Sequence, residues 1–434
     1  MSADTIFALS SGAGRAAVGV IRISGPLARF GLETLAGSIP PPRRATLRTL
    51  TADGEPIDQA LVLWFPGPAS FTGEDMAELQ GHGGRAVTAA VVRALVRLGM
   101  RPAQPGEFTR RALANGKMSL PEVEGLADLL EAETAAQHRQ AVMQAGGALT
   151  RTTGLWRKAL IDAMALVEAH LDFADEGDVV EDGAIAAIGT AIETVRDQLH
   201  QALASASRGE RVRDGLTVVL SGPVNAGKSS LLNALAGRDV AIVTDIPGTT
   251  RDAIEVDLDL DGVRVTVVDT AGLRDTSDPV EAEGIRRARA RAESADLVLR
   301  LVPPESAADM GTVPAEWHVL TKLDSDPDRV VPPGGFGISV RSGQGMARLV
   351  AALSSWATEE SAGEPALVTR ARHRACIERA IDDLGRGLGG LKADRLELVA
   401  EDLRLAVRSL DELVGRVDVD HVLDALFAGF CIGK

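Results

Sequence analysis

The chain has 434 residues, 45% of them apolar, and a formal net charge of −15, which is material for two or three domains with cores of their own. Its cysteines are Cys376 and Cys431, which exclude a disulfide framework and point to a reducing compartment. No apolar run is long enough to span a bilayer, and the first residues lack a basic segment ahead of an apolar core, so a cytoplasmic protein without membrane spans is expected.

In chain order, residues 1–117 mix short β-like runs, Val18-Gly19-Val20-Ile21-Arg22-Ile23 and Ala60-Leu61-Val62-Leu63-Trp64-Phe65, with a helix over 86–98. This predicts an α+β unit. Residues 118–213 become nearly all helical, with Leu126, Leu129, Leu130 and Ala132 set among Glu and Gln. The helical pattern resumes in 358–434, over 377–381 and 396–413, so residues 214–357 form a domain inserted into a helical one. Within the insert, two runs of period two, 254–258 and 263–267, flank Asp261-Gly262, a tight-hairpin signal. Pro40-Pro41-Pro42 and Pro332-Pro333-Gly334-Gly335 are loops.

Residues 222–229, Gly-Pro-Val-Asn-Ala-Gly-Lys-Ser, follow the apolar run Leu216-Thr217-Val218-Val219-Leu220 and precede a helical pattern from Ser230 to Leu235. Strand, loop and helix are the setting of a phosphate-binding P-loop. Gly222 and Gly227 let backbone N–H groups point at a triphosphate, Lys228 brings a charge to its β- and γ-phosphates, and the Ser229 hydroxyl is placed for Mg²⁺.

Three later segments fall in the order that a guanine-nucleotide domain needs. Asp245-Ile246-Pro247-Gly248-Thr249-Thr250-Arg251-Asp252 is a Thr-rich loop able to close on Mg²⁺, with Thr250 the better metal candidate. Asp269-Thr270-Ala271-Gly272 closes the strand 263–268, so the Asp269 carboxylate emerges at a strand end beside the metal, and Gly272 lets the backbone turn toward a γ-phosphate. Thr321-Lys322-Leu323-Asp324 follows the apolar Trp317-His318-Val319-Leu320, and Asp324 can accept two hydrogen bonds from the guanine edge. Such a site rejects the wrong base by roughly 10⁴. The usual guanine motif starts with Asn; Thr321 keeps a hydroxyl for tethering to the P-loop, with a lower affinity expected. Ser339-Val340-Arg341-Ser342-Gly343 reads as the last base-contacting loop.

Hydrolysis needs a group that orients water. The residue after Gly272 is Leu273, which neither donates nor accepts, where many GTPases carry Gln. Residue types alone leave Asp275, Asp278 and Glu281 as equivalent candidates.

With these motifs, the early segments Gly19-Val20-Ile21-Arg22-Ile23-Ser24-Gly25, Phe71-Thr72-Gly73-Glu74-Asp75 and Gln80-Gly81-His82-Gly83-Gly84, and the terminal Phe-Cys-Ile-Gly-Lys at 430–434, the chain resembles the MnmE (TrmE) family of tRNA-modification GTPases over essentially its whole length. The resemblance implies a multidomain α+β and α/β fold: a folate-binding-like N-terminal domain that also dimerises, a central helical domain and an inserted Ras-like P-loop G domain. It extends the GTP contacts to Asn225, Ala226, Ser230, Thr244, the 245–250 loop, Thr270 and Ala271. It implies a K⁺ ion held by Asn225, Thr244, Ile246 and Thr249, supplying the charge that an arginine finger brings elsewhere. It also selects Glu281 to orient the water, and pairs the chain, as a homodimer, with an FAD-containing MnmG (GidA) flavoprotein in a heterotetramer modifying C5 of wobble uridine in tRNA. A competing class is a regulatory or ribosome-associated switch GTPase whose output is binding alone.

Carried over by motif, Arg22, Glu78, Lys117 and Lys434 contact a tetrahydrofolate derivative. Residue types alone make Arg22 a structural ion-pair partner and Cys431, near Phe427 and Phe430, a packed residue; the resemblance instead takes the tail to the folate site, where the Cys431 thiol serves one-carbon transfer. His82, between glycines, reads as a turn residue. Binding tRNA at a net charge of −15 requires a local basic patch or a basic partner. Arg110 and Arg111 with Lys117, and the arginines at 286, 287, 289 and 291, are the candidates, and neither group is assigned to RNA.

Overall fold

The computed structural model describes residues 4–12, 14–172, 182–242, 255–269, 295–305, 315–326, 328–417, 423, 426–427, 429–430 and 433. They fall into two compact units: Met1–Ala127, Ala145–Val180 and Leu396–Lys434 form one, and Asp128–Gln144 with Glu181–Arg395 the other.

The first unit carries a six-stranded sheet of β1 (Ile6–Leu9), β2 (Ala16–Ser24), β3 (Thr46–Ala52), β4 (Glu55–Phe65), β5 (Met76–Gly83) and β6 (Arg101–Pro102), ordered β3-β4-β5-β2-β1-β6. All pairs are antiparallel except β1 with β6. Alternation sorts the side chains: Ile21, Ile23, Ala60, Val62, Trp64, Ala77 and Leu79 share a core with the helices α1 (Ala28–Ala36) and α2 (Arg85–Arg97). Ile6, Ala8 and Met76 have the opposite parity and pack with Phe108 of α3 (Glu107–Ala114). Besides the hairpin expected at 261–262, a second Asp-Gly turn, Asp53-Gly54, joins β3 to β4 with φ of 53° and 83°. Beyond α4 (Leu120–Glu131), the long helix α6 (Ala148–Asp172) packs on α12 (Leu396–Leu413), whose buried Leu396, Val399, Leu403, Ala406, Leu410 and Leu413 follow a helical stripe.

The second unit holds the inserted sheet: β7 (Leu216–Ser221), β8 (Glu255–Leu260), β9 (Val263–Asp269), β10 (Leu297–Val302), β11 (Glu316–Leu320) and β12 (Phe336–Gly337), ordered β12-β11-β10-β7-β9-β8. The β8–β9 pair is antiparallel and every other pair parallel. β7 and β10 read as near-continuous Val and Leu, as largely buried central strands do, broken by Thr217 in the one and by the exposed Arg300 in the other. The helices α9 (Lys228–Ala236) and α10 (Met346–Ser361) contribute Leu231, Leu232, Leu235, Leu349 and Leu353 to this core. The helices α5 (Ala135–Ala145), α7 (Asp182–Ala204), α8 (Ala206–Asp214) and α11 (Ala371–Lys392) complete the unit, with α7 packed on α11. Among the described residues, no helix is long and apolar enough to cross a membrane.

Candidate functional site

β7 lies between β9 and β10, so the strand order reverses at it, and the carboxyl end of such a strand is the position where open α/β sheets take ligands. The chain leaves β7 through Gly222 at φ 141°, where a Cβ would sit 2.5 Å from the Leu301 carbonyl oxygen. Only glycine fits that position. Asn225 and Gly227 are also left-handed, at φ 63° and 97°, and Gly227 precedes α9 with no side chain capping the helix. The first N–H groups of α9 therefore face the loop, as an anion site requires. The Lys228 ammonium is nearly buried and donates to the carbonyls of Gly222 (2.8 Å) and Pro223 (3.0 Å).

Register places Asp269, the last residue of β9, beside Leu220 of β7. There its carboxylate accepts a 2.6 Å hydrogen bond from the Ser229 hydroxyl. The two groups expected around Mg²⁺ thus meet, a hydroxyl and a buried carboxylate that suit a hard cation.

The guanine motif follows β11. The Thr321 hydroxyl, on a buried residue, donates to the Ala226 carbonyl at 2.8 Å, and so is the tether to the P-loop expected of it. Lys322 is left-handed at φ 57°, with its ammonium 3.6 Å from Glu305. Asp324 is exposed and accepts from the Ser339 hydroxyl at 2.6 Å. That bond, with the Arg341 charge adding to it, holds the Asp324 carboxyl below the ordinary aspartate range. Ser339, itself fully buried, is fixed by backbone bonds to Gln344 and Gly343.

The N-terminal sheet bears a separate cavity of about 370 Å³, lined by Arg22, Arg43, Phe65, Ser70, Phe71, Met76, Glu78 and Leu126. Arg22 and Glu78 are register partners on β2 and β5 and form an ion pair of 3.0 Å. The Arg22 guanidinium also lies 5.7 Å from the Phe71 ring and 5.8 Å from the Phe108 ring. The ion-pair role that residue types suggest for Arg22 is therefore real, and it occurs on a cavity wall.

Residues 120–431 match the family described as the MnmE helical domain, and residues 5–117 match that described as the GTP-binding protein TrmE N-terminus. A tRNA modification GTPase MnmE of Methylorubrum populi is 55% identical over 437 residues, covering 99% of this chain and 98% of the relative. The chain belongs to the MnmE family. A second MnmE relative, from Methylobacterium sp. (strain 4-46), is 55% identical over 436 residues, covering 99% of this chain and 100% of its own length.

Of the MnmE site residues expected from sequence, Asn225, Ala226, Gly227, Lys228, Ser229, Asp269 and Thr321 come together along the carboxyl edge of the inserted sheet, and Lys322, Asp324, Ser339, Val340 and Arg341 follow the two strands beyond it. Ser230 is exposed on α9. Thr244, Asp245, Ile246, Pro247, Gly248, Thr249, Thr250, Thr270, Ala271, Gly272, Glu281, Cys431 and Lys434 lie outside the described residues, as do the arginines at 286–291. Arg22 and Glu78 share the N-terminal cavity, whereas the exposed Lys117 is not among its lining residues.

Two expectations change. His82 is not a turn residue: it lies in β5, where its backbone N–H and ring Nδ1 both meet the Asp58 carboxylate, at 2.7 and 2.8 Å. Of the basic group Arg110, Arg111 and Lys117, Arg111 does not belong to an open patch: it is buried against Asp4, Glu74 and Glu107, whereas Arg110 and Lys117 are exposed, Arg110 lying over the Phe427 ring at 5.0 Å. Phe65 and Met76 of the cavity have no sequence signal beyond their places on alternating strands, Arg43 lies in the turn ahead of β3 with none, and Phe71 falls in the motif at 71–75.

Proposed function

We propose that this chain is a K⁺-stimulated GTPase that acts, as a cytoplasmic homodimer, with an FAD-containing MnmG (GidA) partner to place a carboxymethylaminomethyl or aminomethyl group on C5 of wobble uridine in certain tRNAs. The observation that carries the GTPase part is the meeting of Ser229 with Asp269 beside Lys228, while Thr321 ties the base-reading segment to the same loop. The relatives' full-length identity supports the tRNA part.

In this reading the P-loop N–H groups and Lys228 take the phosphates, and Ser229 and Thr250 would hold Mg²⁺ with Asp269 beside them. Asn225, Thr244, Ile246 and Thr249 would hold K⁺, which would supply fixed positive charge beside the phosphates when bound. Glu281 orients water, and Asp324 reads guanine.

The N-terminal cavity suits a pterin: aromatic and aliphatic walls, a carboxylate at Glu78 for a donor edge, and cations for an acidic tail. Arg22, Glu78, Lys117 and Lys434 would hold the tetrahydrofolate derivative, which supplies a one-carbon unit when bound. Cys431 is proposed as a thiol serving that transfer, and Cys431→Ser with full modification activity would remove it from the chemistry.

The test is mass spectrometry of tRNA nucleosides from cells lacking the gene, complemented with wild type or Glu281→Ala. Loss of the aminomethyl-type substituent, restored by the wild type alone, is expected. Unchanged nucleosides would leave a switch GTPase whose output is binding.

A further inference from the structure

α5 is built to hold main chain. Thr134 and Gln137 form a capping box: the Gln137 side-chain Oε1 accepts from the backbone N–H groups of Glu133 (3.1 Å) and Thr134 (3.2 Å), and the Thr134 hydroxyl accepts from the Gln137 N–H. The Gln137 amide then donates to the Arg213 carbonyl at 3.0 Å. Gln140 donates to the Gly209 carbonyl at 2.8 Å, and Gln144 to those of Ala366 and Leu367 at 3.2 and 2.7 Å. The three glutamines are spaced three and four apart on one face and are 7, 5 and 2% exposed. Their targets are the backbone just before β7 and the backbone just after α10, where the chain enters and leaves the inserted domain. Breaking such bonds would leave buried polar groups without partners, so α5 holds both linkers in place.

The same helix also touches the insert at the β8–β9 hairpin. The Gly262 carbonyl, at the hairpin tip, accepts from the Ala136 N–H at 3.0 Å in the first turn of α5, the end where a helix favours negative charge. Arg264 on β9 reaches Glu133 at 3.4 Å and Asp257 of β8 at 2.7 Å, and Asp257 accepts also from Thr266 at 2.5 Å. The hairpin is thereby stiffened across its two strands and tied to α5. In sequence, β8 begins three residues after the Thr-rich loop at 245–252, and β9 ends at Asp269, the first residue of Asp-Thr-Ala-Gly. In sequence, the hairpin joins the two segments that the GTPase reading assigns to the γ-phosphate side.

We propose that α5 is the relay of the nucleotide state: the β8–β9 hairpin transmits the arrangement of those two segments to the first turn of α5, and the buried glutamines pass it to the backbone on both sides of the insert. Glu133 and Arg264 are positioning residues in this relay, since neither lies at the phosphates. The inference rests on the GTPase reading and adds where its output leaves the domain. Coupling of this kind requires an element that two states bias differently, which is what the test must detect.

The experiment is hydrogen exchange of the full chain with GDP or a non-hydrolysable GTP analogue, with nucleotide occupancy read in the same samples from a fluorescent analogue. Amides of 136–144 should exchange at rates differing by about threefold or more between the two nucleotides. In Glu133→Gln that difference should fall to less than half while both nucleotides still bind. A residue that merely stabilised α5 would change protection equally in both states, and this outcome, or equal protection in the wild type with both nucleotides bound, overturns the relay. Failure to bind either nucleotide would overturn the GTPase reading itself.

Discussion

Thr321 stands where guanine-binding motifs usually carry Asn, and its hydroxyl bond to the Ala226 carbonyl explains how the exchange is tolerated. Thr321→Ala leaves a buried carbonyl without its donor, at about 1–3 kcal/mol. GDP affinity, read by fluorescent-nucleotide titration, should weaken about tenfold, and an unchanged affinity would mean that the tether is idle. Ser339 acts on Asp324 by a different route. Its hydrogen bond keeps the carboxylate ionised below the usual aspartate range, so guanine binding should persist as pH falls through that range. In Ser339→Ala the carboxyl loses its main source of depression, and the acid limb of the affinity profile should move to higher pH. Profiles that superimpose after scaling would contradict this. Both side chains were legible in the sequence as motif positions, but their partners were not, because Ala226 and Thr321 are far apart in the chain and meet only across the sheet.

Among the elements, α3 shows how a local pattern is reassigned by packing. Arg111 reads as surface basic character, yet it is buried and shares Asp4, Glu74 and Glu107, while Arg101 pairs with Asp4 and Glu107 as well. Burial pushes the Glu107 carboxyl up, but hydrogen bonds from Arg101, the Gln104 N–H and Arg111 outweigh it, so it lies below the ordinary glutamate value. Asp4 is lowered in the same way. A carboxyl depressed in the folded state contributes stability above its unfolded value, and that contribution is lost as pH falls through the folded one. The melting temperature should therefore hold from neutral pH to about 5 and then drop below about pH 4. Glu107→Gln should lower it at neutral pH and flatten the acid drop; an equal drop in both proteins would place the effect elsewhere. The hairpin at Asp261-Gly262, by contrast, was legible outright, since an Asp-Gly pair between alternating strands adopts left-handed φ, here 53° and 85°.

For the whole molecule, charge and cation dependence are the issues. At a net charge of −15 any RNA contact depends on a local basic patch, and of Arg110, Arg111 and Lys117 only Arg110 and Lys117 are exposed. The K⁺ proposal makes a separate prediction: GTP hydrolysis should be faster in K⁺ than in Na⁺ at equal ionic strength, by steady-state phosphate release. Equal rates would defeat the cation cage. Helical segments on either side of the insert were legible from their periodicity. Their division was not: α5, α7, α8 and α11 cluster with the inserted sheet, and α6 and α12 with the N-terminal one.

By itself the sequence determined the P-loop, the order of the guanine motifs and the inserted arrangement, because each depends on residues adjacent in the chain or on the short periods of helices and strands. Tertiary structure alone decided that Ser229 meets Asp269, that Arg22 and Glu78 line a cavity with Phe65 and Phe71, and that three glutamines of α5 hold backbone more than 60 residues away. Those contacts depend on strand order and sheet register, which bring distant positions within hydrogen-bond reach and leave no local pattern in the chain.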